Sequence, residues 1–187
     1  ADVFTHPNEE YPFHKVQSFS DILLQFTNDT KSKKIKVGIA GSEMLPFKYW
    51  QKINNNEKVE IVEVDDIILK QRSVKSPQEI QVIEHAYSIA QKGIKKGIDV
   101  IQKGISEREI AAEIEYEMRK LGSEGMGIDT IIGSGKENTH PILTRTTSRK
   151  INDGDHVLLT VAPRYEGYHG AIGRIVSVGN IDESIMK

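Results

Sequence analysis

The 187-residue chain contains no cysteine, and that absence removes disulfide frameworks, thiolate nucleophiles, zinc fingers and iron–sulfur clusters together. It leaves the compartment open. Aromatic residues are scarce at 6%, with a single tryptophan, so aliphatic side chains must supply most of any core. No apolar run approaches the ~18 residues of a membrane span, and the opening Ala1-Asp-Val-Phe-Thr-His-Pro7 lacks the basic and apolar pattern of a signal peptide. A cytoplasmic location with no membrane partner is the default expectation. Blocks of positive charge are missing too. Beyond Lys31-Ser-Lys-Lys34, which reads as a solvated turn, the net charge of −2 and pI near 6.3 offer no field to attract phosphate, so no nucleic-acid partner is expected. Neither a Gly-x-Ser-x-Gly elbow, a phosphate loop, a His-Glu-x-x-His pair nor a dinucleotide fingerprint occurs. Gly133-Ser134-Gly135 reads as a tight turn.

What is present suits a globular chain: 37% hydrophobic and 28% charged residues, in a length that fits one ordinary domain or two small ones. Phe19, Ile22, Leu23 and Phe26 recur at helical spacing behind Ser18 or Ser20, and the polar run from Asn28 to Lys33 stops that helix. Ile35, Val37 and Ile39 alternate as a half-buried strand. Gly41-Ser42 then opens a helix running through Leu45, Tyr49 and Ile53, and Val59, Ile61 and Val64 make a second strand. Residues 65–75 read as an apolar turn and a charged connector, with a domain boundary near Arg72. Ser76-Pro77-Gln78-Glu79 combines a cap, a proline at the first helical position and a capping box. The face predicted for the helix behind it is Ile80, Ile83, Tyr87, Ala90, Ile94, Ile98 and Ile101, and Gly93 and Gly97 should each cost it roughly 1 kcal/mol against alanine. Ser106-Glu-Arg-Glu109 is a second capping box, with Ile105 and Ile110 as a staple, and it opens a helix that Gly122 ends.

The stretch around which the chain is organised is 155–174. After the turn signal Asn152-Asp153-Gly154, Val157, Leu158 and Leu159 form one β-prone run, and Ile172, Ile175, Val176 and Val178 form another, so a β-hairpin is predicted. The frame Thr160-x-Ala162-x-x-Tyr165-x-Gly167-Tyr168-x-Gly170-Ala171-x-x-Arg174 resembles the central hairpin of the prolidase, methionine aminopeptidase and creatinase family, the "pita-bread" hydrolases. The phrases Arg72–Ile80 and Gly104–Ala112 are similar to the first two helices of that fold. The resemblance implies an α/β (α+β) chain: residues 1–71 as the carboxyl-terminal part of an amino-terminal α/β/α domain, and residues 72–187 as the first half of the pita-bread domain. A start without Met and an end at Ile185-Met186-Lys187 fit a fragment. Such a chain is expected to leave one sheet face, with Leu158, Ile172 and Val176 as candidates, without partner strands, and so to be inactive by itself and either to self-associate or to survive only beside the missing segment.

In the peptidases of the family an Asp stands at the positions of Thr160 and Ala171, and the two carboxylates hold a metal pair. Here a hydroxyl and a methyl replace them. The metal-free creatinase branch has alanine where Ala171 stands and matches Pro163, Gly167-Tyr168 and Arg174, so the resemblance implies no metal and no cofactor. Its glycine-containing loop, 131–141, leads to His140, expected to be the catalytic proton shuttle for C–N hydrolysis; the other reading of His140 is a surface-loop histidine. Tyr168 is a candidate substrate contact, though a packed aromatic with a bonded hydroxyl competes. Arg145 and Arg149 are candidates for a substrate carboxylate against a solvated loop. Arg174 is expected to pin the hairpin through a carboxylate, His169 to face solvent, and His6, His14, His85 and His156 to carry no function. Two functions remain: a hydrolase of a small guanidino or short-peptide substrate, expected as a homodimer, or a non-catalytic scaffold on the same fold.

Overall fold

A computed structural model describes residues 19–29, 34–136, 138–139 and 144–179. The chain divides between Val74 and Lys75 into two compact units.

The first unit contains α1 (Phe19–Asp29), β1 (Ile35–Ile39), a 3₁₀ turn (Ser42–Met44), α2 (Phe47–Asn54), β2 (Val59–Glu63) and α3 (Asp65–Ser73). β1 and β2 pair in parallel, from Ile35 opposite Val59 to Ile39 opposite Glu63, because the helical segment between them carries the chain back across the sheet. The helix expected from Gly41 to Ile53 is broken in two. Proline at 46 pushes the preceding Leu45 into an extended conformation, φ −75° and ψ 121°, so the first turn cannot run on into α2. The connector expected at 65–75 is itself a helix, α3. Asp65 and Asp66 in its first turn and Lys70 and Arg72 in its last complement the helix dipole, and Asp65 also accepts a 2.6 Å bond from the Gly41 amide.

The second unit contains α4 (Pro77–Val100), α5 (Glu107–Lys120) and six strands: β3 (Gly125–Met126), β4 (Ile131–Ser134), β5 (His156–Val161), β6 (Pro163–Tyr165), β7 (Tyr168–His169) and β8 (Ile172–Ser177). Both helices start as expected. Ser76 and Glu79 form a capping box with Pro77 at the first helical position, and Ser106 and Glu109 form the other; each cap is worth about 1 kcal/mol. The buried face of α4 differs from the expected one. It is Ala86, Ile89, Ala90, Gly93, Ile94 and Gly97, while Ile80, Tyr87 and Ile98 are exposed. The two glycines are sites of close approach: a Cβ on Gly93 would lie 2.6 Å from Met118, and one on Gly97 would lie 2.5 Å from Ile114 and 2.8 Å from Leu159. Small residues thus decide which face goes in, and the aliphatic periodicity does not.

The strands form two three-stranded sheets, β4-β5-β8 and β3-β6-β7. The expected hairpin is present as the antiparallel pair β5–β8, but its tip folds away as the smaller hairpin β6–β7, which joins β3. Glu166 (φ 46°) and Gly167 (φ 79°) make the two-residue turn of that tip, both with the positive φ a tight hairpin turn of this kind needs. Along β5, Val157, Leu159 and Val161 are fully buried in one cluster with Ile89, Ile94, Ile110, Ile114, Met118, Ile132 and Ile151. Ile172 and Val176 pack on that cluster as well, rather than on the outer face. The outer face carries Leu158 opposite Ile175 and Thr160 opposite both Gly173 and Ile131.

Gly170 brings the chain back from the tip to β8 directly over α4. A Cβ there would lie 2.5 Å from the Ala86 carbonyl carbon and 2.6 Å from its oxygen, atoms of helix backbone that cannot rotate aside. Gly170→Ala is therefore expected to cost about 1–3 kcal/mol, read as a lower Tm by circular dichroism, whereas Ala171→Ser at the exposed neighbour leaves Tm unchanged. Equal melting of the two variants would contradict the close approach.

Candidate functional site

Ser134 at the end of β4 and the loop residues Asn138 and Thr147 are held by a buried carboxylate. Glu107, in the first turn of α5, is 0% exposed and accepts six hydrogen bonds: from the amide and hydroxyl of Ser134 (2.8 and 2.6 Å), from the Asn138 side-chain amide to both oxygens (3.0 and 2.8 Å), and from the amide and hydroxyl of Thr147 (2.8 and 2.6 Å). Burial alone would raise this carboxyl, but the bonds from Ser134, Thr147 and Asn138 outweigh it and hold the group below the usual glutamate value. Beside it, Arg149 forms a two-pronged ion pair with Asp155 at 2.6 and 3.0 Å and donates to the Ser134 hydroxyl at 2.8 Å. Burial pushes Asp155 up, but the bonds from Arg149 and the Asn152 amide and the Arg149 charge bring its carboxyl below the ordinary range. Arg149 is thus engaged in structure.

Against the same loop lies a cavity of about 460 Å3, lined by Ile128, Asp129, Thr130 and Ile131 on one wall and Thr144, Arg145 and Thr146 on the other. Thr146 ties the walls together: its hydroxyl donates to the Thr130 carbonyl (2.7 Å) and accepts from the Ile132 amide (2.9 Å). Among the described residues the buried Thr130 hydroxyl has no hydrogen-bond partner. Arg145 is exposed on the rim, and its carbonyl accepts from Asn138 at 2.8 Å. His140 lies outside the described residues.

Tyr168 sits elsewhere, on β7 against the start of α4. Its hydroxyl donates to Glu79 Oε1 at 2.5 Å. With the Ser76 amide and hydroxyl also bonded, this lowers the Glu79 carboxyl to about 2. Tyr168 does not line the Arg145 cavity. Arg174 is not pinned to a carboxylate among the bonds described; its guanidinium donates to the Gly173 carbonyl at 2.7 Å, and it borders a groove with Gln91, Ile94, Lys95, Ile98 and Ile172. His85 packs against Tyr165, with ring centroids 4.3 Å apart and planes tilted by 44°. The residues that sequence reasoning missed are Glu107 and the second duty of Glu79. Both stood inside capping boxes, where an acidic side chain is already explained, and nothing local marks one as reaching a distant partner.

A dinuclear metal centre needs bridging anionic oxygens. Thr160 and Ala171 provide none, and among the described residues no group of three or more His, Asp or Glu converges. These residues by themselves do not fit such a centre.

Residues 81–187 match the family model described as metallopeptidase family M24. The chain belongs to that family. An Xaa-Pro dipeptidase of Pyrococcus horikoshii is 35% identical over 79% of the chain and 41% of its own length, and one of Pyrococcus furiosus is 31% identical over 92% and 47%. The chain therefore spans less than half of these relatives. Among solved structures, an X-Pro aminopeptidase from Thermotoga maritima superimposes with TM-score 0.81 at 26% identity over 96% of this chain and 52% of that one, and the prolidase from Pyrococcus furiosus with 0.77 at 30% over 92% and 50%. The α/β architecture of the M24 chain is thus that of the prolidase and creatinase pita-bread family.

The Tyr168–Glu79 bond yields a pH signature. A carboxyl lowered to about 2 on folding, from an ordinary 4.5, contributes stability above the unfolded value and loses it as pH falls through the folded one. Tyr168→Phe is expected to be less stable at pH 7, with the gap closing as pH drops from 4.5 to 2. Urea unfolding at several pH values measures it, and a gap independent of pH would exclude Glu79 as the group.

Proposed function

We propose that the whole protein hydrolyses a C–N bond in a small peptide or guanidino substrate without a dinuclear metal. The observation that carries this reading is an M24 hairpin whose outer face bears the Thr160 hydroxyl where an anionic ligand would be needed, with Gly173 and Ile131 opposite it. The relatives' names point to Xaa-Pro dipeptides as the peptide class. In the proposed reaction His140 takes a proton from the attacking water as the new C–O bond forms and returns it to the leaving nitrogen as the C–N bond breaks. Arg145, on the cavity rim, binds the substrate carboxylate by paired hydrogen bonds. No cofactor is required. The proposed setting is a homodimer in the cytoplasm; exposed Met44, Phe47 and Ile67 of the first unit support a surface for association.

The second reading, a scaffold that binds but does not turn over, is favoured by the same missing carboxylates. The native polypeptide separates the two. A hydrolase should retain turnover after dialysis against chelator, show a near-neutral group in its pH profile, and lose ~10²–10⁴ in rate in His140→Ala. A scaffold shows no turnover, and its ligand affinity stays within a few-fold in that variant. Stoichiometric manganese, cobalt or zinc that is lost on substituting Thr160 would overturn the metal-free reading.

A further inference from the structure

We infer that Glu107 is a positioning residue for the Arg145 cavity: its carboxylate anchors Ser134, Asn138 and Thr147 and so fixes the wall on which Arg145 stands. The inference rests on reading that cavity as the carboxylate site, and it assigns the geometry of the site to a residue at the start of another element.

Glu107 cannot move, since it is buried in the first turn of α5, whose Ile110, Ala111 and Ile114 are in the core. From this fixed point two connections lead to Arg145. Asn138 donates to both Glu107 oxygens and to the Arg145 carbonyl through the same amide nitrogen. Thr147, two residues after Arg145, donates to Glu107 Oε2 through both its amide and its hydroxyl. Thr146 between them is held by Thr130 on the opposite wall and by Ile132 behind it in β4. Arg145 therefore sits in a segment fixed on its own carbonyl and on its two following residues.

The site demands a carboxylate and not an amide. Oε1 faces the Ser134 amide and Oε2 faces the Thr147 amide. Hydroxyls can turn to accept, but backbone N–H groups cannot. Either orientation of a glutamine would aim its NH2 at one of these N–H groups and leave that group unsatisfied. The charge lies within one bridging hydroxyl of Arg149, through Ser134.

The test is Glu107→Gln in the native polypeptide, with two readouts. Amide hydrogen exchange at Ser134 or Thr147 should accelerate about tenfold to a hundredfold while the amides of Ile110 and Ile114 keep their rates. Calorimetry with reduced-bond glycyl-proline as the free acid and as the carboxamide reads the site itself. The unsubstituted protein should prefer the acid, Arg145→Ala should abolish the preference, and Glu107→Gln should weaken it by about tenfold or more with amide binding unchanged. Asn138→Ala, on a partly exposed loop, should shift the preference the same way should Glu107→Gln fail to fold. An Arg145-dependent preference that persists in both variants overturns the positioning role. Exchange that rises equally throughout α5 also overturns it, by making Glu107 a general stabiliser. No preference in the unsubstituted protein sinks the cavity reading, and this inference with it; that failure is recognisable because Arg145→Ala then changes nothing.

Discussion

The second unit depends on how closely α4 can lie against its neighbours. Gly93 and Gly97 remove the side chains that would hold α4 off Met118, Ile114 and Leu159, and Gly170 does the same for the chain that crosses over Ala86 and Tyr87. Interiors packed at crystal-like density transmit such constraints. Because α4 is tight against both α5 and β5, the start of α5 has one position relative to β4, and Glu107 can meet Ser134 and Thr147 at hydrogen-bonding distance. A sheet displaced by one methyl group would lose that match.

Much of this was legible in the sequence, and the failures have physical causes. Capping boxes at Ser76 and Ser106 identified two helices because the signal is local: a side chain satisfies backbone groups three residues away. Alternation identified β1 for the same reason, and β5 was marked by a β-prone run behind the turn signal at 152–154. The buried face of α4 was misread because aliphatic residues occur all round that helix, and the choice among faces was made by glycines that a propensity argument counts only as a cost. The apolar spacing of Leu45, Tyr49 and Ile53 runs across Pro46, whose restriction of Leu45 breaks the helix there. The α3 helix was hidden because the consecutive Ile67-Ile68-Leu69 show no face, and none of its residues is buried.

For the site, legibility followed the same line. The departures at Thr160 and Ala171 are single-residue facts and could be read directly. Arg145 and Arg149, four residues apart in one polar loop, could not be told apart by composition. Asp155 distinguishes them by engaging Arg149 from the foot of β5, which leaves Arg145 as the guanidinium on the cavity rim. The partners of Glu107 are 27, 31 and 40 residues away, beyond the reach of any pattern of periodicity or capping.

Glu79 belongs to two parts of the molecule at once. It closes the first turn of α4 through Ser76, three residues away, and it receives the hairpin tip through Tyr168, 89 residues away. The first contact costs little chain entropy and can form as soon as the helix nucleates, whereas the second closes a long loop and must wait for the strands. The helix start is thus built early and locked late. Once Tyr168 has arrived, fraying of that first turn would cost two interactions in place of one, so the beginning of α4 and the tip of the β6–β7 hairpin come apart as a single cooperative unit.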